Sequence, residues 1–250
     1  MNRKQATTGY RTDKLYAKSR KSVAPFEFDQ QVADVFQDMI RRSVPGYALV
    51  LELVGQVAAE YSQDSSNCYD LGCSLGASAL KLQQYATSNC NVIAVDNSSA
   101  MINQCRQQLT NLGLADQIAL HCEDINKTPI SNASVVVLNY TLQFIQKSMR
   151  TPLLYKIHRG MRKKGVLILS EKIGHKNPIT EQVLTGLHIN YKRQQGYSEM
   201  EIAQKRSSLE NVLIAETEED HLARITSVGF DQVTIINKAL NFTTFMGIKT

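Results

Sequence analysis

Four polar side chains stand at or just beyond the ends of short apolar runs: Asp70, Asp96, Asp124 and Asn139. Between the first two lies Gly72-Cys73-Ser74-Leu75-Gly76, whose two glycines lack a Cβ and let the backbone turn sharply toward a ligand. Asp96 follows Gly76 by 20 residues, where a carboxylate can accept hydrogen bonds from both hydroxyls of a ribose. Asp124 can accept from an adenine amino group while Ile125 packs on the ring, and Asn139 lies where the remainder of such a ligand would end. Ser74 stands where a dinucleotide fingerprint has another glycine, and the loop lacks the Gly-Lys-Ser/Thr ending of a phosphate loop. The loop therefore suits a nucleoside without a polyphosphate, of which S-adenosylmethionine (SAM) is the commonest. Acidic residues after strands also cap helices and hold turns, so each one alone has a structural explanation. Loop, spacing and acceptors together point to the ligand.

The elements that must position these residues alternate. Apolar runs over residues 67–71, 92–95, 118–122, 134–138 and 166–170 predict strands, and helical patterns over 77–84, 100–109 and 150–162 separate them. Alternation of this kind means crossover units and a mostly parallel sheet covered on both faces. Residues 232–237 and 243–248 predict a terminal antiparallel hairpin. The fold expected is α/β, Rossmann-like, with the seven-stranded layout of class I methyltransferases, whose ligands sit beyond the carboxyl ends of the strands. Val32, Val35, Phe36, Met39 and Ile40 form the apolar stripe of an N-terminal helix over 29–42, which runs into the turn Ser43-Val44-Pro45-Gly46-Tyr47. The polar-rich insertion 179–215, broken at Gly196, reads as a helical lid. Residues 26–250 are expected to form a single domain behind a tail, residues 1–25.

Composition narrows the class. With 250 residues, 43% apolar and 20% charged, the chain is an ordinary soluble globular one. No stretch approaches the roughly 20 apolar residues that span a bilayer, and no secretory h-region is present, so a cytoplasmic protein is expected. The net charge of +5 belongs to the tail. Arg3, Lys4, Arg11, Lys14, Lys18, Arg20 and Lys21 stand there against Asp13 alone, leaving 21 basic and 22 acidic residues in the body. Such a tail can touch RNA or a membrane surface, but a solvated, mobile terminus is the expectation. Five cysteines, an odd count with no CxxC pair, argue against a disulfide framework and a zinc site. Cys73, in the turn, is either a reactive thiol or, as expected, a packing group. The five histidines form no ligand-spaced pair, so no metal is expected.

Phe28-Asp29, Val32-Ala33, Val35-Phe36, Asp38-Met39-Ile40 and Arg42-Ser43-Val44-Pro45-Gly46-Tyr47 resemble the opening of the carboxy-S-adenosyl-L-methionine (carboxy-SAM) synthase family. Segments 69–77, 94–98, 135–144, 169–172, 196–199, 204–207 and 209–212 extend the resemblance over residues 26–250. It implies SAM-binding positions at Tyr47, Gly72, Cys73, Ser74, Asp96, Asn97, Asp124, Ile125 and Asn139. It also implies that Arg206 recognises the carboxylate of the product. Tyr47 and Arg206 are the implied catalytic residues, the first enclosing the sulfonium end and the second stabilising carboxylate charge. Electrostatics agrees with that role, because a guanidinium beside a sulfonium is repelled unless an anion lies between them. By its sequence neighbours alone, Arg206 also fits a solvated helix face with Lys205 and Glu210.

The activity implied is a one-carbon transfer that converts SAM and prephenate to carboxy-SAM and phenylpyruvate. The product would feed a downstream tRNA carboxymethyltransferase that builds 5-oxyacetyl uridine at the wobble position. Prephenate as co-substrate and a second copy in a homodimer are the implied partners, with no direct nucleic acid and no membrane. Lys192, Arg193 and Tyr197 are candidates for prephenate's second carboxylate. No side chain stands out as the base, a task the hydroxide leaving prephenate can perform. Two alternatives share the fold: a SAM-dependent methyltransferase acting on a small acid or RNA, and a SAM-binding accessory subunit of a tRNA-modifying enzyme.

Overall fold

The computed structural model describes residues 11–250; Arg3 and Lys4 of the expected tail lie outside the described residues. Strands β1 (Asn67–Leu71), β2 (Asn91–Asp96), β3 (Ile118–Cys122), β4 (Ala133–Asn139) and β5 (Met161–Lys172) are joined by helical crossovers or loops. The sheet is completed by β6 (Gln232–Ala239) and β7 (Phe242–Ile248) in the order β3-β2-β1-β4-β5-β7-β6. The first five strands pair in parallel, and β7 runs antiparallel to both β5 and β6. This is the expected seven-stranded layout. The winding reverses between β1 and β4, the place where open α/β sheets leave a crevice for ligands.

Helices α1 (Gln30–Ser43), α2 (Tyr47–Tyr61), α3 (Ala77–Tyr85) and α4 (Ser99–Asn111) come first in the chain; α5 (Lys147–Gly160), α6 (Pro178–Gln194), α7 (Glu199–Leu209) and α8 (Glu218–Ser227) follow. The alternation of side chains along the central strands feeds two cores. Cys68, Val135, Val137, Val166 and Ile168 face α2, α3 and α4, whereas Tyr69, Leu71, Val136, Leu138 and Leu167 face α5 and α8. Burial on both faces explains why β4 reads as an unbroken apolar run, each buried Val or Leu contributing roughly 1.5–3 kcal/mol.

Three local features depart from the sequence expectation. The helix placed over 150–162 ends at Gly160, and β5 starts at Met161. A register shift against β4 and a positive φ at Lys164 carry the strand through its polar start, so Gly165 is not its boundary. Helix α2 had no counterpart in the sequence reading; its only polar side chains between its terminal tyrosines are Glu52, Gln56 and Glu60. Residues 11–25, expected as a tail, are seated in part. Asp13 and Tyr16 are buried, the Tyr16 hydroxyl donates to Ser208 Oγ at 2.9 Å, and the Gln204 amide donates to the carbonyls of Tyr16 and Lys18. No described helix is long and apolar enough to cross a membrane.

Candidate active site

The turn after β1 is built by the backbone. Gly72 and Gly76 both adopt left-handed conformations, with φ of 80° and 81°, and a Cβ on Gly72 would drive into the Thr141 side chain. The Gly72 and Cys73 N–H groups donate to Val95 O at 2.8 and 2.9 Å, tying the turn to the end of β2. Gly76 supplies no side chain to cap α3, so Asp70 does so from the strand, accepting the Ala79 N–H at 2.8 Å. Burial pushes the Asp70 carboxyl up to about 7. Burial, then the charges of Asp70 and Asp96, hold the Cys73 thiol well above its ordinary value, so it packs as a protonated group.

The acceptors converge on one cavity of about 370 Å³. Asp96 is preorganised there: its two oxygens accept the Ser74 and Ser98 N–H groups, each at 2.9 Å. Each oxygen keeps a lone pair for a ribose hydroxyl. Burial raises the Asp96 pKa, and the two backbone hydrogen bonds oppose that rise. Asp124 accepts from the backbone and side-chain nitrogens of Asn126. The loop carrying Asp124 and Ile125 is clamped by Lys156 Nζ, which donates to the carbonyls of Ile125, Asn126 and Thr128 at 2.7–2.9 Å. The Asn139 amide donates to Ser78 Oγ at 3.1 Å, while its Oδ1 is buried without a partner. An unpaired acceptor at that place fits the ammonium of an amino-acid moiety. Gly72, Ser74 and Asn97 complete this edge.

The opposite end is cationic. Lys172 ends β5, Lys192 lies on α6 and Lys205 on α7, and all three line the same cavity with His188. Helix α7 is started by a capping box, in which Ser198 Oγ accepts the Glu201 N–H while Glu201 accepts the Ser198 N–H. That start brings Lys205 inward, with Nζ 3.3 Å from Ser43 Oγ. Burial lowers all three ammonium groups, Lys205 to about 8 and Lys192 to about 7; the charges of Lys205, Lys172 and Arg206 also act on Lys192. His188 Nε2 donates to Ser43 O at 2.8 Å, and burial drives its pKa down to about 3, so it stays neutral. Aromatic side chains wall the space between the two ends, with Phe28 against Phe144 and Phe242 between Tyr140 and His188.

The structure thus brings Gly72, Ser74, Asp96, Asn97, Asp124, Ile125 and Asn139 to one cavity. Tyr47 and Cys73 line an adjoining cavity of about 420 Å³, which shares Phe36, Ile40, Gly72, Ser74 and Asn139 with the first. Arg206 lines neither; it is exposed in the last turn of α7, close enough for its charge to act on Lys172 and Lys192. Arg193 is engaged with Glu199, and Tyr197 donates to Asp13 beneath the Arg42 guanidinium. Lys156, Lys172, Lys205 and His188 escaped the sequence reading, because long-range convergence leaves no local spacing to read. Among the described residues, no group of three or more His, Cys, Asp or Glu is placed to hold a metal ion.

Fold and cavity together define a class I methyltransferase-type domain with a row of hydrogen-bond acceptors along one edge of its cavity. Residues 69–165 match the family described as a methyltransferase domain. The carboxy-S-adenosyl-L-methionine synthase of Trichlorobacter lovleyi is 46% identical over 241 residues, covering 96% of this chain and 99% of that one. That of Hahella chejuensis is 44% identical over 243 residues, covering 95% and 98%. A putative S-adenosyl-L-methionine-dependent methyltransferase from Methanococcus maripaludis shares the fold, with a TM-score of 0.59 at 19% identity over 92% of this chain and 98% of its own. At these identities and coverages, the chain belongs to the carboxy-S-adenosyl-L-methionine synthase family.

Proposed function

We propose that this protein converts SAM and prephenate to carboxy-SAM and phenylpyruvate. The observation that carries this reading is one cavity with acceptors for a nucleoside at one end and lysines without carboxylate partners at the other. A methyl donor needs no such end unless its co-substrate is an anion. Asp96 holds the ribose, Asp124 the adenine amino group and Ile125 the ring face. The Gly72–Ser74 backbone and Asn97 flank the nucleoside, and Asn139 Oδ1 accepts from the ammonium of the methionine part. Tyr47 closes the sulfonium end from the adjoining cavity, and Arg206 rotates inward to meet the new carboxylate.

The reaction balances without a protein base. As prephenate aromatises, its ring carboxylate leaves as carbon dioxide and its ring hydroxyl as hydroxide. The hydroxide takes a proton from the SAM methyl group, and that carbon captures the carbon dioxide, giving carboxy-SAM, phenylpyruvate and water. The protein's part is to hold two reactants in contact and exclude water. Incubating the protein with SAM and prephenate and weighing the products tests this: SAM must gain one carbon dioxide. Methylated acid instead, or SAM bound with prephenate untouched, would support the methyltransferase or the accessory-subunit alternative. Arg206→Ala should weaken carboxy-SAM by about tenfold or more while leaving S-adenosylhomocysteine binding nearly intact, the loss of one charge-assisted pair.

The same reading places the protein in the cytoplasm, upstream of a tRNA carboxymethyltransferase, without nucleic acid of its own. A homodimer is supported by the exposed apolar stripe Ile179, Val183 and Leu187, one helical turn apart along α6.

A further inference from the structure

We propose that Lys172, Lys192 and Lys205 grip the carboxylate that the co-substrate keeps, the one that leaves as part of phenylpyruvate. The assignment rests on the reaction proposed above and adds which of two anionic groups goes where.

Three cations facing one cavity cost stability unless something offsets them. No ion pair among the described residues does so for any of the three, and only the longer-range charges of Asp13 and Glu181 reach Lys205 and Lys172. The carboxylates whose charge reaches them are occupied elsewhere. Asp13, near Lys205, accepts from the Tyr197 hydroxyl and the Leu15 N–H; Glu181, near Lys172, accepts from the His175 N–H and the Thr185 hydroxyl. His188 beside them is a neutral donor spent on Ser43 O. The missing counter-charge therefore comes from the ligand.

Chemistry selects the group. The ring carboxylate must surrender its charge to become carbon dioxide, and a cation locked onto it would stabilise the ground state against that loss. The side-chain carboxylate keeps its charge from substrate through product, so gripping it adds binding without opposing reaction. Phe242, packed between His188 and Tyr140, and Tyr140 itself offer apolar edges to the ring joined to that carboxylate. The departing group is then left toward the nucleoside end, where it is captured.

The test compares wild type with Lys192→Met and Lys205→Met, both saturated with S-adenosylhomocysteine, by titrating phenylpyruvate calorimetrically and measuring prephenate KM. Each variant should weaken phenylpyruvate and raise prephenate KM by the same factor, about 10- to 100-fold. S-adenosylhomocysteine affinity should not change, and Lys192→Arg should restore most of the loss. A raised prephenate KM with unchanged phenylpyruvate affinity overturns the assignment, because the lysines then hold the departing carboxylate. Equal loss of S-adenosylhomocysteine overturns it in favour of a structural role. Failure of the reaction itself shows separately, as wild-type protein that releases no phenylpyruvate, and removes this assignment with it.

Discussion

The two ends of the cavity obey opposite electrostatic rules. At the nucleoside end, strand termini of the rigid sheet present acceptors that the backbone has already fixed, as Ser74 and Ser98 fix Asp96. At the other end, the tip of β5 and two inserted helices present lysines that form no ion pair among the described residues. In the proposed reading, the first end is complete before its ligand arrives and discriminates by shape and hydrogen bonding, and the second is completed by its ligand and discriminates by charge. Neutral recognition can be preorganised at little cost, whereas a full counter-charge must be withheld if an anion is to be the partner.

Three measurements break or sharpen that contrast. The largest effect belongs to Asp96→Ala, which removes the two acceptors proposed for the ribose and strands the Ser74 and Ser98 N–H groups. S-adenosylhomocysteine affinity should fall on the order of a thousandfold by calorimetry, and a loss below about tenfold would mean that Asp96 serves the turn alone. The next is pH. Lys192 faces Lys172 of β5, His188 on its own helix, and Lys205 and Arg206 of α7, and its pKa in the free protein is lowered to about 7. A bound carboxylate favours the charged form, so prephenate KM should climb as pH rises through 7 and then through the value of about 8 at Lys205. The rise is at most about tenfold per pH unit for each group. The smallest effect is on stability. Lys192 has a folded pKa below its unfolded value of about 10.4, so its charge opposes folding most below pH 7, and the penalty fades as pH approaches that unfolded value. Lys192→Met should therefore raise the Tm of the ligand-free protein by about 2 °C at pH 6.5 and not at all near pH 10.5. A lower Tm would show that the lysine stem is a packing element.

The same division governs what the sequence made legible. Strands buried on both faces read directly as apolar runs, and Asp96 and Asn139 were readable because each is the last residue of its strand, whereas Asp124 lies two residues beyond the end of the mostly exposed β3. Asp70 was equally visible, yet its task as a cap for α3 emerges only when Gly76 is seen to lack a side chain for it. Lysines at 172, 192 and 205 are scattered among 28 basic residues, and only the folding of α6 and α7 over the sheet edge makes them neighbours. Sequence reasoning chose Arg206 on α7; the helix turns the adjacent Lys205 inward and leaves Arg206 at the surface.

The seated N-terminal segment has a practical consequence for anyone cutting this chain. Gln204 grips the backbone of Tyr16, Lys18 and Arg20, and Ser208 receives the Tyr16 hydroxyl, all on the helix that delivers Lys205. A truncation at Pro25, the boundary that the basic tail suggests in the sequence, unbuttons that helix from outside and leaves the buried Gln204 side chain without these partners. Expression boundaries and affinity tags belong ahead of Asp13, or kinetic defects caused by the cloning will be mistaken for properties of the enzyme.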